Sequence, residues 1–130
     1  MPQIREMVVE LGKELDATRT LWLEGKIKAG FGDLEAACAV FENVRQSLAK
    51  QKIAYDCAVV TLELAVLHLK EGRTAEVQEL TRQLLPLFQA QKVSRKALAT
   101  IKLFCEAVEK ETITAEVAQG FLADLRRAGA

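Results

Sequence analysis

The side chains best suited to chemistry are one histidine, His68, and three cysteines, Cys38, Cys57 and Cys105. An imidazole can move protons or hold a metal, and a thiolate can attack or ligate. Both roles need partners at a workable spacing. His68 stands in an apolar stretch, between Leu67 and Leu69, with no acid or nucleophile placed to orient it, so packing is the expected role. The cysteines are scattered, without a CxxC pair or a Cys/His metal spacing, and are expected to be free buried thiols. Gly30 and Gly32 are followed by Asp33 and by no lysine that could meet a phosphate, which makes them a helix stop rather than a phosphate loop. Carboxylate pairs such as Glu10 with Glu14 suit a solvated helix face. No catalytic residue, metal or cofactor is therefore assigned, and the chain is not expected to be an enzyme.

Charge narrows the partners. Eighteen basic and eighteen acidic side chains cancel and are interspersed along the 130 residues. Nucleic acid would call for a basic stripe, and the densest basic cluster, Arg126 with Arg127, is placed to oppose a C-terminal helix dipole. The run 53–69 carries Asp56, Glu63 and His68 and falls short of the roughly 20 apolar residues of a spanning helix. The N-terminus, with Arg5, Glu6 and Glu10, has no signal-peptide pattern. Neither nucleic acid nor membrane is expected as a partner, and the expected location is cytoplasmic. The length suits one domain, residues 1–130, with half its residues apolar.

Residues 61–80 read as helix, tight turn, helix. Leu62, Leu64, Ala65, Val66, Leu67 and Leu69 make the first helix apolar nearly all round, as befits the centre of an all-helical packing. Glu71, Gly72 and Arg73 stop it, and Thr74 is placed to cap the next. Before this centre, Pro2 opens a helix over 2–15 with Ile4, Val8, Leu11 and Leu15 on one face. Asp16 is expected to cap a second helix, bearing Leu21, Trp22, Leu23 and Ile27, that ends near Gly30 to Gly32. A third, over 33–50, turns Leu34, Ala37, Val40, Phe41, Val44 and Leu48 inward. After the centre, Val77, Leu80, Leu84, Leu85 and Phe88 continue an inward stripe past Pro86, where a kink or tightened turn is expected. Ser94 and Thr114 cap two further helices, the last with Ala118, Phe121, Leu122 and Leu125 inward, and Thr112 takes the place of the turn glycine.

The pattern repeats. Gly32 and Gly72 stand 40 positions apart, and residues 30–41 align with 70–81 and 110–121, Ala75-Glu76-Val77 matching Ala115-Glu116-Val117 outright. On these positions the chain resembles tetratricopeptide-type repeats. Gly25, Ala65 and Cys105 stand seven places before the turn, Ala37 takes the second small position, and Phe41 and Phe121 the aromatic one. Departures are Lys28, His68 and Val108 at the usual tyrosine, Val77 and Val117 at the second small residue, Thr81 for the aromatic, and a unit longer than the common one of about 34 residues. More narrowly, LWLEG at 21–25 and EGRTAEV at 71–77 resemble the C-terminal helical-repeat regions of large bacterial multidomain regulators. The expected fold is all-α, a short α-solenoid of antiparallel helix pairs with six to seven helices. Its units are roughly 16–50, 53–90 and 94–127, preceded by one helix over 2–15.

The resemblance also implies where a partner would sit, because in such arrays the first helix of each unit lines a concave groove. The groove positions carried over are Arg19, Trp22, Lys26 and Ala29, then Val59, Leu62, Val66 and Leu69, then Ala99, Lys102, Glu106 and Glu109. From these, Trp22, Lys26, Val59, Leu62, Val66, Leu69 and Lys102 are assigned to partner binding. The function so implied is a non-catalytic protein–protein interaction module, regulatory or scaffolding, that binds a peptide or helix in the groove. The alternative is a self-associating structural protein that uses the same apolar strip as a homodimer interface. An effector with an active site would need converging polar groups, and the spacing offers none.

Overall fold

The computed structural model describes the backbone of residues 2–129 and the side chains of residues 13–129. Six α-helices account for nearly all of it: α1 (Pro2–Gly30), α2 (Leu34–Lys50), α3 (Ala54–Lys70), α4 (Thr74–Ala90), α5 (Arg95–Glu109) and α6 (Ala115–Ala128). The all-helical expectation holds, with no strand among the described residues. None of these helices is long and apolar enough to cross a membrane.

Local chemistry sets most of the helix ends. Asp33, Ser94 and Thr114 cap α2, α5 and α6, each accepting from an amide three residues on, at 3.3, 3.1 and 3.2 Å. Four helices end in one kind of turn. In it the residue in the left-handed region bonds back three positions while the next amide reaches back five, as Gly72 to Leu69 and Arg73 to His68 do at 3.1 and 2.9 Å. The left-handed residues are Gly32, Lys52, Gly72 and Glu111. Glycine takes that conformation freely, whereas Lys52 (φ 60°) and Glu111 (φ 57°) hold it against their own Cβ.

Several expected boundaries are corrected. Asp16 opens no helix: α1 runs unbroken past it, because the residue is followed and preceded by good helix formers and its own carbonyl accepts from Thr20 Oγ1. The face formed by Ile4, Val8 and Leu11 lies outside the described side chains. Thr74 is the first residue of α4 and Arg73 the cap position, without a side-chain cap bond. The left-handed turn residue before α6 is Glu111, and Thr112 instead donates from its hydroxyl to the Ala107 carbonyl at 3.2 Å. The expectation that the helix continues past Pro86 holds, since Pro86 lies inside α4. It sits on the exposed side of that helix, where a carbonyl deprived of its amide partner can be hydrated.

Packing follows the chain in adjacent pairs, with one addition that determines the architecture. Each helix packs on the next, and α6 also packs back on α3. The helices α3, α4, α5 and α6 thus form a closed ring, with α1 and α2 attached mainly through α2 and by Trp22 of α1. In the expected open array, α3 would be a hairpin removed from α6. At the connection over 91–94 the chain is extended (Gln91 φ −106°, ψ 155°) and lacks the left-handed turn of the other four, and beyond it α6 returns onto α3. Tyr55 donates its hydroxyl to the Leu125 carbonyl at 3.0 Å, tying the start of α3 to the end of α6. Phe104 and Phe121 meet edge to face, centroids 6.0 Å apart.

The core divides into two clusters with α3 common to both. Ala58, Val59, Leu62 and Ala65 face Phe88, Ile101, Phe104, Leu122 and Leu125 inside the ring. On its other side, Cys57, Val60, Leu64 and Leu67 face Phe41, Val44 and Leu48 of α2. Eleven of the seventeen residues of α3 are buried, so the expectation that it is the centre holds.

Candidate interaction surface

The strip assigned to partner binding on α3 is occupied by the chain itself. Leu62 is fully buried, Val59 and Val66 are 6% exposed, and Leu69 is half-buried against the same cluster. With α6 covering α3, no groove remains there. Lys102 is exposed on α5. Trp22 and Lys26 do stand together, with the Lys26 ammonium 4.9 Å from the centre of the Trp22 ring.

Trp22 also leads to a residue the spacing had shown only as an interruption. Its indole N–H donates to Glu63 Oε1 at 2.9 Å, and Arg126 Nη2 lies 3.9 Å from Glu63 Oε2, so α1, α3 and α6 meet at one carboxylate. Burial pushes the Glu63 carboxyl above its ordinary range, opposed by Lys26, the Trp22 N–H and Arg126. An acid in the middle of an apolar run, between Leu62 and Leu64, was the signal for it.

Polar groups do converge, contrary to expectation, in a cleft of about 430 Å³ between α2, the end of α3 and α4. Arg45 is buried there, with Nε donating to Glu42 Oε2 at 3.0 Å, Nη2 to Glu42 Oε1, and Nη1 to Gln83 Oε1 at 2.8 Å. Burial alone would raise the Glu42 carboxyl, but the bonds from Arg45 outweigh it and hold it low, while the same bonds raise Arg45. His68 is half-buried at this cleft rather than in the core, its Nδ1 buried without a hydrogen-bond partner. Burial lowers its pKa, which leaves the ring neutral at pH 7.

The three thiols are free and buried as expected. Burial, with Glu71 nearby, raises Cys38, burial raises Cys57, and burial together with Glu109 pushes Cys105 up to about 11. At neutral pH all three are therefore thiols rather than nucleophilic thiolates. Among the described residues no group of His, Cys, Asp and Glu is arranged to hold a metal ion. The cleft offers charge and hydrogen bonds, lined by Glu35, Glu42, Glu76 and Glu79, with Glu42 already engaged by Arg45 and by Gln46.

An uncovered apolar surface lies elsewhere. Phe31 is 86% exposed, Leu23 59% and Ile27 52%. They follow at spacings of four along α1 and into its closing turn, so they form one stripe. The opposite side of α1 is well packed: Thr18 meets Ser47 Oγ at 2.8 Å, and Gly25 lets α2 approach so closely that an added Cβ would stand 2.9 Å from Phe41 and Val40. Helical spacing marked Leu23 and Ile27 as apolar but could not tell which side of the helix α2 would take. No family model, curated protein or solved structure matches the chain.

Proposed function

We propose that this chain is a non-catalytic interaction module of the helical-repeat kind, regulatory or scaffolding, which docks a helix or peptide of another protein on the outer side of α1. The observation that carries the reading is the stripe of Leu23, Ile27 and Phe31, three of the five large apolar side chains left in water among the described residues, aligned on one helix that packs mainly on a single neighbour. Kinship with tetratricopeptide-type arrays is supported by the like turns at Gly32, Gly72 and Glu111. The return of α6 onto α3 is a departure from such arrays. A non-catalytic role is supported by the protonated thiols and the neutral, unpaired imidazole.

The test is a pair of substitutions, Leu23→Glu with Phe31→Glu. The expected outcome is an unchanged helical circular dichroism signal and melting temperature, with loss of binding to whatever the parent protein engages. Solution mass separates partner docking from self-association: a parent at 14.4 kDa is the expected result, and a dimer of twice that mass that the pair of substitutions dissolves would establish the alternative. Unfolding of the double variant would show that the stripe is core and would remove the basis for docking there.

A further inference from the structure

The charges beside the stripe specify what kind of segment it accepts. On α1, Arg19 and Lys26 are seven residues apart and so share one edge of the stripe, while Glu24 and Lys28, of opposite charge, share the other. Arg19 and Lys26 are exposed, and neither forms a salt bridge among the described residues. Lys26 is held in place over the Trp22 ring. The stripe therefore has one edge of two positive charges, of which Lys26 also faces the Glu63 carboxyl, and one edge whose two charges cancel.

Resting on the docking reading above, we infer that the occupant is an amphipathic protein segment whose apolar residues cover Leu23, Ile27 and Phe31 and whose Asp or Glu side chains run along the Arg19 and Lys26 edge. A second copy of this chain fits less well. An antiparallel two-fold pairing sets the Arg19 and Lys26 edge on itself, and a parallel pairing brings Lys26 beside both Glu24 and Lys28 for no net gain. Three side chains also make a patch of a few hundred Å², short of the roughly 800 Å² per partner of a stable interface.

The probes are two synthetic helical peptides with the same leucine stripe, one with glutamates along its flank and a twin with lysines there. Binding is read from the anisotropy of a labelled peptide and from the fluorescence of Trp22, the one tryptophan in the chain. The glutamate peptide should bind roughly tenfold more tightly than the lysine peptide, with the difference shrinking in high salt. Arg19→Glu with Lys26→Glu, both at exposed positions, should reverse the order. Equal binding of both peptides, lost in Phe31→Glu, would overturn the acidic-partner inference and leave the docking face standing. Binding of neither, with a concentration-dependent mass that Phe31→Glu abolishes, would put a second copy there. Binding of neither to a protein that stays monomeric would overturn both readings.

Discussion

The ring of α3 to α6 and the hairpin of α1 and α2 use apolar residues at the same helical spacing, to opposite ends. On α3 the strip of Val59, Leu62 and Val66 is enclosed, because α2, α4 and α6 all pack on that helix. On α1 the stripe of Leu23, Ile27 and Phe31 meets water, because α2 takes only the side bearing Thr18, Gly25 and Trp22. Amphipathic periodicity thus identifies a face that needs cover without saying what covers it. Only the number of neighbours around a helix distinguishes core from docking surface.

The largest effect that could break this contrast comes from placing a carboxylate on each side of it. Leu62→Glu would bury an unpaired charge inside the ring and should cost several kcal/mol, enough to unfold the domain. Leu23→Glu should change stability by no more than about 0.5 kcal/mol. Two melting curves decide it, and a Leu62→Glu protein that melts near the parent temperature would end the distinction.

A smaller effect sharpens the hairpin itself. Gly25→Val pushes a branched side chain against Phe41 and Val40 and should cost about 1–3 kcal/mol in urea unfolding. Gly120→Ala is the control, since a Cβ there meets nothing within 4 Å. In mid-helix on α6 it should stabilise by up to about 1 kcal/mol. Similar signs for the two would mean that α1 is not closely docked on α2.

Next come the turns. Lys52→Gly in the hairpin-to-ring connection and Glu111→Gly within the ring both relieve a left-handed backbone and should each add about 1 kcal/mol or less. Equal gains would show that the strain is local and independent of how many helices surround the turn.

The smallest effects are in pH. The pKa of His68 is lowered by folding, so the unfolded chain binds more protons below pH 6.5, and stability should fall as pH drops through that value toward the folded one. His68→Phe should flatten that loss. Glu63 is raised by folding, so the folded chain binds the extra proton and stability should increase as pH falls from its folded value toward 4.5. Glu63→Gln, which keeps an acceptor for Trp22, should remove that gain. Melting temperatures across this range check both signs.

Much of the helical framework was legible in the residues. Ser94 and Thr114 were recognised as caps and Gly32 and Gly72 as turn residues, since capping and left-handed geometry are decided within a few positions of chain. Asp16 was a plausible cap whose competition with a continuous helix could not be weighed from spacing. The cleft of Glu42, Arg45, His68 and Gln83 joins residues up to 41 positions apart on three helices, and no linear motif encodes it.

The division between the two levels has a physical basis. By itself the sequence determined the helices, most of their ends and the burial of α3, because hydrogen bonding to near neighbours and the 3.6-residue period act over a turn or two. Tertiary structure alone decided that α6 closes on α3, which removed the expected groove, and that α2 leaves one side of α1 bare. Those outcomes rest on contacts between faces far apart in the chain, such as Tyr55 with the Leu125 carbonyl, which no local pattern carries.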